Sequence, residues 1–161
     1  MDIQKYIEEY TDWLKGEITF SKVGEYYEIN TPFLDTDNDY FQIYVKQEGN
    51  ELYFSDDGYT INSLEIAGFT MTPNRRKQLS SILGQYGVQL QKKELTLKAP
   101  TNQFAPKKHA FVQCLLHVSD MYMTSRTKAG SFFLEDIQYF FQKNEIYCME
   151  NVQFTGKSGF S

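Results

Sequence analysis

A chain of 161 residues, 41% of them hydrophobic, is long enough to bury one substantial core, while its two cysteines, Cys114 and Cys148, are too few for a disulfide framework. No apolar run approaches the roughly 20 residues of a membrane span; Met1 is followed by Asp2-Ile3-Gln4-Lys5 and not by a basic then apolar leader, so a cytoplasmic protein without a signal peptide is expected. The net charge of −5 conceals two opposite fields: residues 1–71 carry 15 Asp/Glu against 4 Lys/Arg, residues 72–128 carry 10 Lys/Arg against Glu94 and Asp120, and such fields attract partners of the opposite sign.

Ile3, Tyr6, Ile7, Tyr10, Trp13 and Leu14 recur at helical spacing, with Glu8, Glu9 and Asp12 on the other side. Asp2 suits the N-cap of this first helix and Gly16 its end. Strands are expected at Ile18–Val23 and Tyr26–Asn30, the second closed by Asn30-Thr31-Pro32 because proline has no ladder donor. Asp35-Thr36-Asp37-Asn38-Asp39 is a turn-forming loop. Tyr40–Lys46 then alternates, with Tyr40, Gln42, Tyr44 and Lys46 on one face and Phe41, Ile43 and Val45 on the other, as in a half-buried strand. Gly49-Asn50 marks a hairpin turn before Leu52–Ser55.

Asp56-Asp57-Gly58 turns the chain into a short helix carrying Leu64, Ile66 and Ala67, capped by Thr60 or Asn62 and stopped at Gly68. Thr72-Pro73 is a cap followed by proline at the first helical position, and this helix carries Arg75-Arg76-Lys77 on an exposed turn and ends at Gly84 or Gly87. One or two strands fit Val88–Leu97. A long helix is expected from Gln103 to Thr124, with Phe104, Phe111, Leu115, Val118 and Tyr122 as its apolar stripe. Ser125–Gly130 reads as a loop. Phe132–Asn144 reads as a helix with Phe133, Ile137, Phe140 and Phe141 inward, and Tyr147–Phe154 as a closing strand. The expected fold is α+β, a small antiparallel sheet of hairpin-linked strands packed by four or five helices. Residues 1–151 form one domain on this reading, with 152–161 a tail or the start of a second one.

Catalytic and metal motifs fail at defined positions. A calcium loop beginning at Asp35 needs Gly at its sixth position and Glu at its twelfth, which are Tyr40 and Lys46. Asp39, Asp56 and Asp57 invite a magnesium site of nuclease type, but Tyr44-Val45-Lys46 lacks the acid that would precede the lysine there. Gly156-Lys157-Ser158 lacks the earlier glycine of a phosphate loop, that position being Asn151. Cys114 and His117 are helical neighbours, yet Cys114 lies in the apolar stripe, where a free cysteine acts as a small hydrophobe. No cofactor, no metal and no catalytic residue is therefore expected.

Two surfaces remain. Asp35, Asp37, Asp39, Asp56 and Asp57 flank a sheet face bearing Tyr40, Gln42 and Tyr44, a combination suited to a basic protein surface. Arg75, Arg76, Lys77, Lys92, Lys93, Lys107 and Lys108 would serve nucleic-acid phosphates if the fold gathered them. The opposite fields would also support a salt-sensitive head-to-tail dimer.

The segments Tyr27-Glu28-Ile29-Asn30-Thr31-Pro32-Phe33-Leu34-Asp35, Asp39–Val45 and Phe54-Ser55-Asp56-Asp57-Gly58-Tyr59-Thr60-Ile61 resemble domain-of-unknown-function family 1828, known from bacteria, mostly Firmicutes, and their phages. The resemblance covers roughly residues 25 to 115. Val152–Phe160 resembles the beginning of family 1829, its usual C-terminal partner. The family carries no established activity. Its occurrence in mobile elements implies a role in conflict, inhibiting, sensing or accompanying a defence system. Together with the acidic half and the failed motifs, this leads to the expectation of a non-enzymatic module binding and inhibiting a basic partner, such as a nucleic-acid enzyme of a defence system; the alternatives are a nucleic-acid-binding module accompanying a nuclease-like domain and, third, a metal-dependent phosphodiesterase using the Asp cluster.

Overall fold

The computed structural model describes residues 1–122 and 129–147. The chain divides into two compact units, Met1–Thr127 and Lys128–Ser161. The first holds a six-stranded antiparallel sheet in the order β1-β2-β3-β4-β6-β5, built from Thr19–Val23, Tyr26–Leu34, Tyr40–Glu48, Glu51–Ser55, Gln89–Gln91 and Glu94–Pro100 in chain order. Its helices are α1 (Ile3–Glu17), α2 (Tyr59–Ile66), α3 (Pro73–Tyr86) and α4 (Phe104–Ser119), with a 3₁₀ turn at Thr101–Gln103. The second unit contributes α5, Ala129–Lys143. The architecture is α+β, an antiparallel sheet together with helices, as the sequence pattern predicts. No helix among the described residues is long and apolar enough to cross a membrane.

The β3–β4 hairpin sets the pleat for the whole sheet. Phe41, Ile43 and Val45 are buried while Tyr40 and Gln42 are exposed, so the predicted alternation holds. Val45 pairs with Phe54, and Phe54 with Leu97, which aligns one apolar column across three strands. Onto this face pack Ile61 and Leu64 of α2, Leu79 and Leu83 of α3, and Phe111, Val112, Leu115 and Val118 of α4. The Phe54 ring lies 6.0 Å from that of Phe111 and 5.9 Å from that of Phe104. Each fully buried Leu, Ile, Val or Phe contributes about 1.5–3 kcal/mol of transfer free energy, so this column and its helical cover dominate the fold.

Several boundaries differ from expectation. Strand β2 runs through Pro32 to Leu34, but its pairing with β3 shifts register between Asn30 and Leu34. Proline is tolerated where the ladder is already interrupted, and the Thr31 hydroxyl donates to the Phe41 carbonyl at 2.9 Å across the irregular stretch. Helix α2 takes its cap from neither Thr60 nor Asn62: Gly58 stands at the N-cap with φ 75°. Thr72 and Pro73 start α3 as predicted, Thr72 accepting from the Arg75 N–H, and Gly87 closes it with φ 69°. Helix α4 ends at Ser119 with a turn at Asp120; Met121 and Tyr122 are again helical, and the remainder of the helix expected to Thr124 lies outside the described residues. In α5, Ile137 and Phe141 are half-buried but Phe140 is 55% exposed, not inward. The closing strand expected at Tyr147–Phe154 and the segment 152–160 fall, beyond Tyr147, outside the described residues.

Helix α1 differs most in its packing. Asp2 caps it as expected, and it passes Gly16 to end at Glu17. None of its residues is buried, and the predicted apolar face, Ile3, Tyr6, Ile7, Tyr10 and Trp13, is 50–57% exposed. The neighbouring edge strand β1 is exposed along its length, so no covered layer exists there to receive the helix.

Candidate functional site

The Asp35–Asp39 loop and the Asp56–Gly58 turn are each built by a carboxylate that folds the backbone around itself. Asp35 Oδ1 accepts the N–H of Asp37 at 2.8 Å and of Asp39 at 2.9 Å, the geometry of an Asx turn. Its Oδ2 accepts the Tyr59 hydroxyl at 2.7 Å, which ties the loop to the start of α2. Asp56 is 1% exposed. Its Oδ1 accepts the N–H groups of Gly58 (2.9 Å) and Leu95 (2.8 Å), and its Oδ2 that of Thr60 (3.0 Å). Asp56 thus performs the capping of α2 from two residues upstream of its N-cap and clamps the turn to β6. Asp57 and Gly58 both take positive φ in this turn; at Gly58 the left-handed backbone is the reason for glycine.

These two turns bring α2 beside the outer face of β2 and β3. Between them lies a cavity of about 680 Å³ lined by Asn30, Asp39, Tyr40, Gln42, Tyr44, Asp56, Asp57, Tyr59, Asn62, Ser63 and Ile66. The lining contains three carboxylates, three tyrosines and no Lys, Arg or His. Asp39 and Asp57 are exposed. Asp56 has both oxygens committed to the backbone and serves as scaffold.

The electrostatics follow from this arrangement. Burial raises the Asp56 carboxyl above its ordinary range, and the backbone N–H donors from Leu95, Thr60 and Gly58 oppose the rise. The Tyr59 phenol is pushed up to about 12, first by burial and then by Asp35. Tyr44 is raised by burial, then by the charges of Glu28 and Asp57; its hydroxyl donates to Glu28 at 3.4 Å. Burial first, and the negative neighbours after it, thus favour the neutral phenols of Tyr44 and Tyr59. A cation entering it meets acceptors and ring faces together, the two features that bind ammonium and guanidinium groups.

Of the acidic and tyrosine residues predicted, Asp39, Tyr40, Gln42, Tyr44, Asp56 and Asp57 line one cavity, Asp35 shapes its edge, and Asp37 is exposed on the adjoining loop. Tyr59, Asn62, Ser63 and Ile66 escaped the sequence reading. Their spacing along α2 marks one helical face, a signal present in the sequence.

The basic residues are dispersed over three regions. Arg75, expected on an exposed turn, is 4% exposed. Its Nη1 donates to the Thr70 carbonyl at 2.7 Å and its guanidinium lies 4.5 Å from the centre of the Phe69 ring; the planar cation is used in packing. Arg76 and Lys77 are exposed on α3. Lys92 and Lys93 form the β5–β6 turn, Lys93 paired with Glu65 at 2.6 Å. Lys107 and Lys108 are half-buried on α4, and burial lowers the Lys108 ammonium.

Cys114 is completely buried, its thiol pushed up to about 12 chiefly by burial, and His117 Nδ1 engages the Tyr86 hydroxyl at 2.9 Å instead. Among the described residues no group of three or more His, Cys, Asp or Glu is placed to hold a metal ion.

A family model described as a domain of unknown function, DUF1828, matches residues 31–118, more than half of the chain. The match runs from within β2 to the last turn of α4 and includes the cavity lining apart from Asn30. Helix α1 and strand β1 precede it. No curated protein and no solved structure matches the chain.

Proposed function

We propose that this chain, which belongs to the DUF1828 family, is a non-enzymatic interaction module that takes a cationic side chain of a partner protein into its tyrosine- and aspartate-lined cavity. The observation that supports the reading is the lining itself: three carboxylates and three tyrosines around about 680 Å³, with no cation among them. A lysine or arginine entering there exchanges water for the Asp39 and Asp57 carboxylates and the rings of Tyr40, Tyr44 and Tyr59. The surrounding field reinforces this, since residues 1–71 carry the bulk of the negative charge. In the mobile-element setting that the family resemblance implies, such a module inhibits a nucleic-acid enzyme by covering the basic surface that holds phosphate.

The test is anisotropy of a labelled arginine-rich peptide, with labelled single- and double-stranded DNA and RNA in parallel, at low and moderate salt. The reading expects peptide binding that weakens at least tenfold in Asp39→Asn/Asp57→Asn, with both positions chosen because neither carboxylate accepts a described hydrogen bond. Unchanged peptide affinity in that variant refutes it. Nucleic-acid binding lost on replacing Arg76 and Lys77 by Ala would instead select the alternative reading, a nucleic-acid module working through the basic middle of the chain.

A further inference from the structure

The described residues present two complementary apolar surfaces that no other described residue covers. One is the α1 face of Ile3, Tyr6, Ile7, Tyr10 and Trp13, where Tyr10 and Trp13 stack at 6.1 Å. The other is a groove of about 700 Å³ on the core side of the sheet, where the helical layer stops short of β1 and β2. Phe20 on β1 and Tyr27 on β2 are 72% and 47% exposed, their rings 6.4 Å apart, and Ile18, Ile29, Leu52 and Phe104 complete the apolar lining.

We infer that α1 of one copy docks into this groove of a second copy, and that the exchange is reciprocal, giving a closed two-fold dimer. Dimensions agree. Ile3 to Trp13 spans about 15 Å of helix axis, and the groove runs from β1 to β4, three interstrand spacings or about 14 Å. Charge agrees as well. The α1 segment carries Asp2, Glu8, Glu9, Asp12 and Glu17 against Lys5 and Lys15, whereas the groove presents the Lys108 side chain and no carboxylate; Lys46 turns its ammonium to the other face of the sheet, over the rings of Tyr26 and Tyr53. Lys46 is already paired with Glu48; Lys108, half-buried, has no hydrogen bond or ion pair among the described residues and is available to the incoming acidic helix.

Area also suffices. Large side chains bury about 150–250 Å² each, so five that are half exposed offer roughly 400–500 Å² per helix, and two helices in two grooves approach the roughly 1,600 Å² of a standard interface. Because every copy carries both surfaces, the two-fold exchange leaves neither unsatisfied and the assembly stops at two. Helix α1 ends at Glu17 and Thr19 is already paired with Asn30, so Ile18 alone separates helix from strand and leaves little chain for α1 to fold back onto the groove of its own copy.

Trp13 is the chain's single tryptophan and reports α1 directly. The experiment is sedimentation of the full chain over a concentration series, with Trp13 emission recorded on the same samples. The expected result is a monomer–dimer transition whose midpoint coincides with a blue shift of Trp13. Phe20→Glu, at an exposed position that leaves the core intact, removes both the dimer and the shift; counted twice by symmetry, the substitution weakens association by about 1,000-fold. Tyr10→Glu does the same from the helix side. A monomer with solvent-like Trp13 throughout overturns the inference, as does a blue-shifted Trp13 at monomer mass or a dimer indifferent to Phe20→Glu.

Discussion

Replacing Asp56 by alanine removes the acceptor for three buried backbone donors at once, those of Gly58, Thr60 and Leu95. An orphaned buried N–H costs about 1–3 kcal/mol, and loss of a helix cap alone costs about 1 kcal/mol. Three donors at the low end give about 3 kcal/mol. Relief of a carboxylate that burial disfavours returns on the order of 1 kcal/mol, leaving a net loss of about 2 kcal/mol. For a unit of this size that corresponds to a midpoint about 6–12 °C lower. Asp56→Asn retains an acceptor for one side of the clamp and presents a donor to the other, so its loss is about half as large. Because the folded pKa of Asp56 is raised, the neutral acid is the form the fold favours. Its contribution is complete below the unfolded value of about 3.9 and declines as pH rises through the folded one. The stability advantage of the native chain over Asp56→Asn is therefore larger near pH 4 than near pH 7. Urea unfolding followed by circular dichroism at both pH values measures these quantities. An alanine variant within about 0.5 kcal/mol of the native chain refutes the clamp, and a gap that widens with pH refutes the assignment of burial as the dominant influence.

Three further outcomes are expected. Tyr59 ionises near pH 12, so its stabilising contribution is present below the unfolded value of about 10 and lost as pH rises through 12; in a UV titration Asp35→Asn brings it partway back, burial retaining the remainder. Cys114, in a Cys148→Ser background, stays unreactive toward a thiol reagent near neutral pH until denaturant unfolds the chain, since burial holds it protonated; rapid native labelling contradicts this. Arg75→Ala lowers stability by about 2 kcal/mol through loss of the Phe69 contact and the Thr70 bond, whereas Arg76→Ala, one residue away and exposed, changes it by less than about 0.5 kcal/mol; equal effects in denaturant melts would show that burial does not separate them.

The Arg75–Arg76 pair illustrates where sequence reading stops. Three consecutive basic residues on a polar helix look equivalent in the chain, but the helical phase of α3, set by Leu79 and Leu83 against the core, turns Arg75 inward while Arg76 and Lys77 stay in solvent. At the acidic site, alternation placed Tyr40, Gln42 and Tyr44 on one face, and turn chemistry located both aspartate loops. That Asp56 would sit beneath the surface with both oxygens bonded to backbone was not legible, because Leu95 lies 39 residues away; the donor arrives only when β6 pairs with β4. Tyr59 joined the site for the same reason, through a bond to Asp35 across 24 residues.

Local spacing determined the elements of this protein: the hairpin at Gly49, the Thr72-Pro73 start, the strand faces and the amphipathic character of α1 all depend on neighbours within a few residues. Tertiary structure decided which of those faces became covered. An apolar stripe is a requirement for a partner surface and does not specify where that surface is. In α4 the stripe found the sheet; in α1 it remains open, since the helical layer ends before β1, and that choice rests on strand order and layer extent, which no short-range pattern encodes.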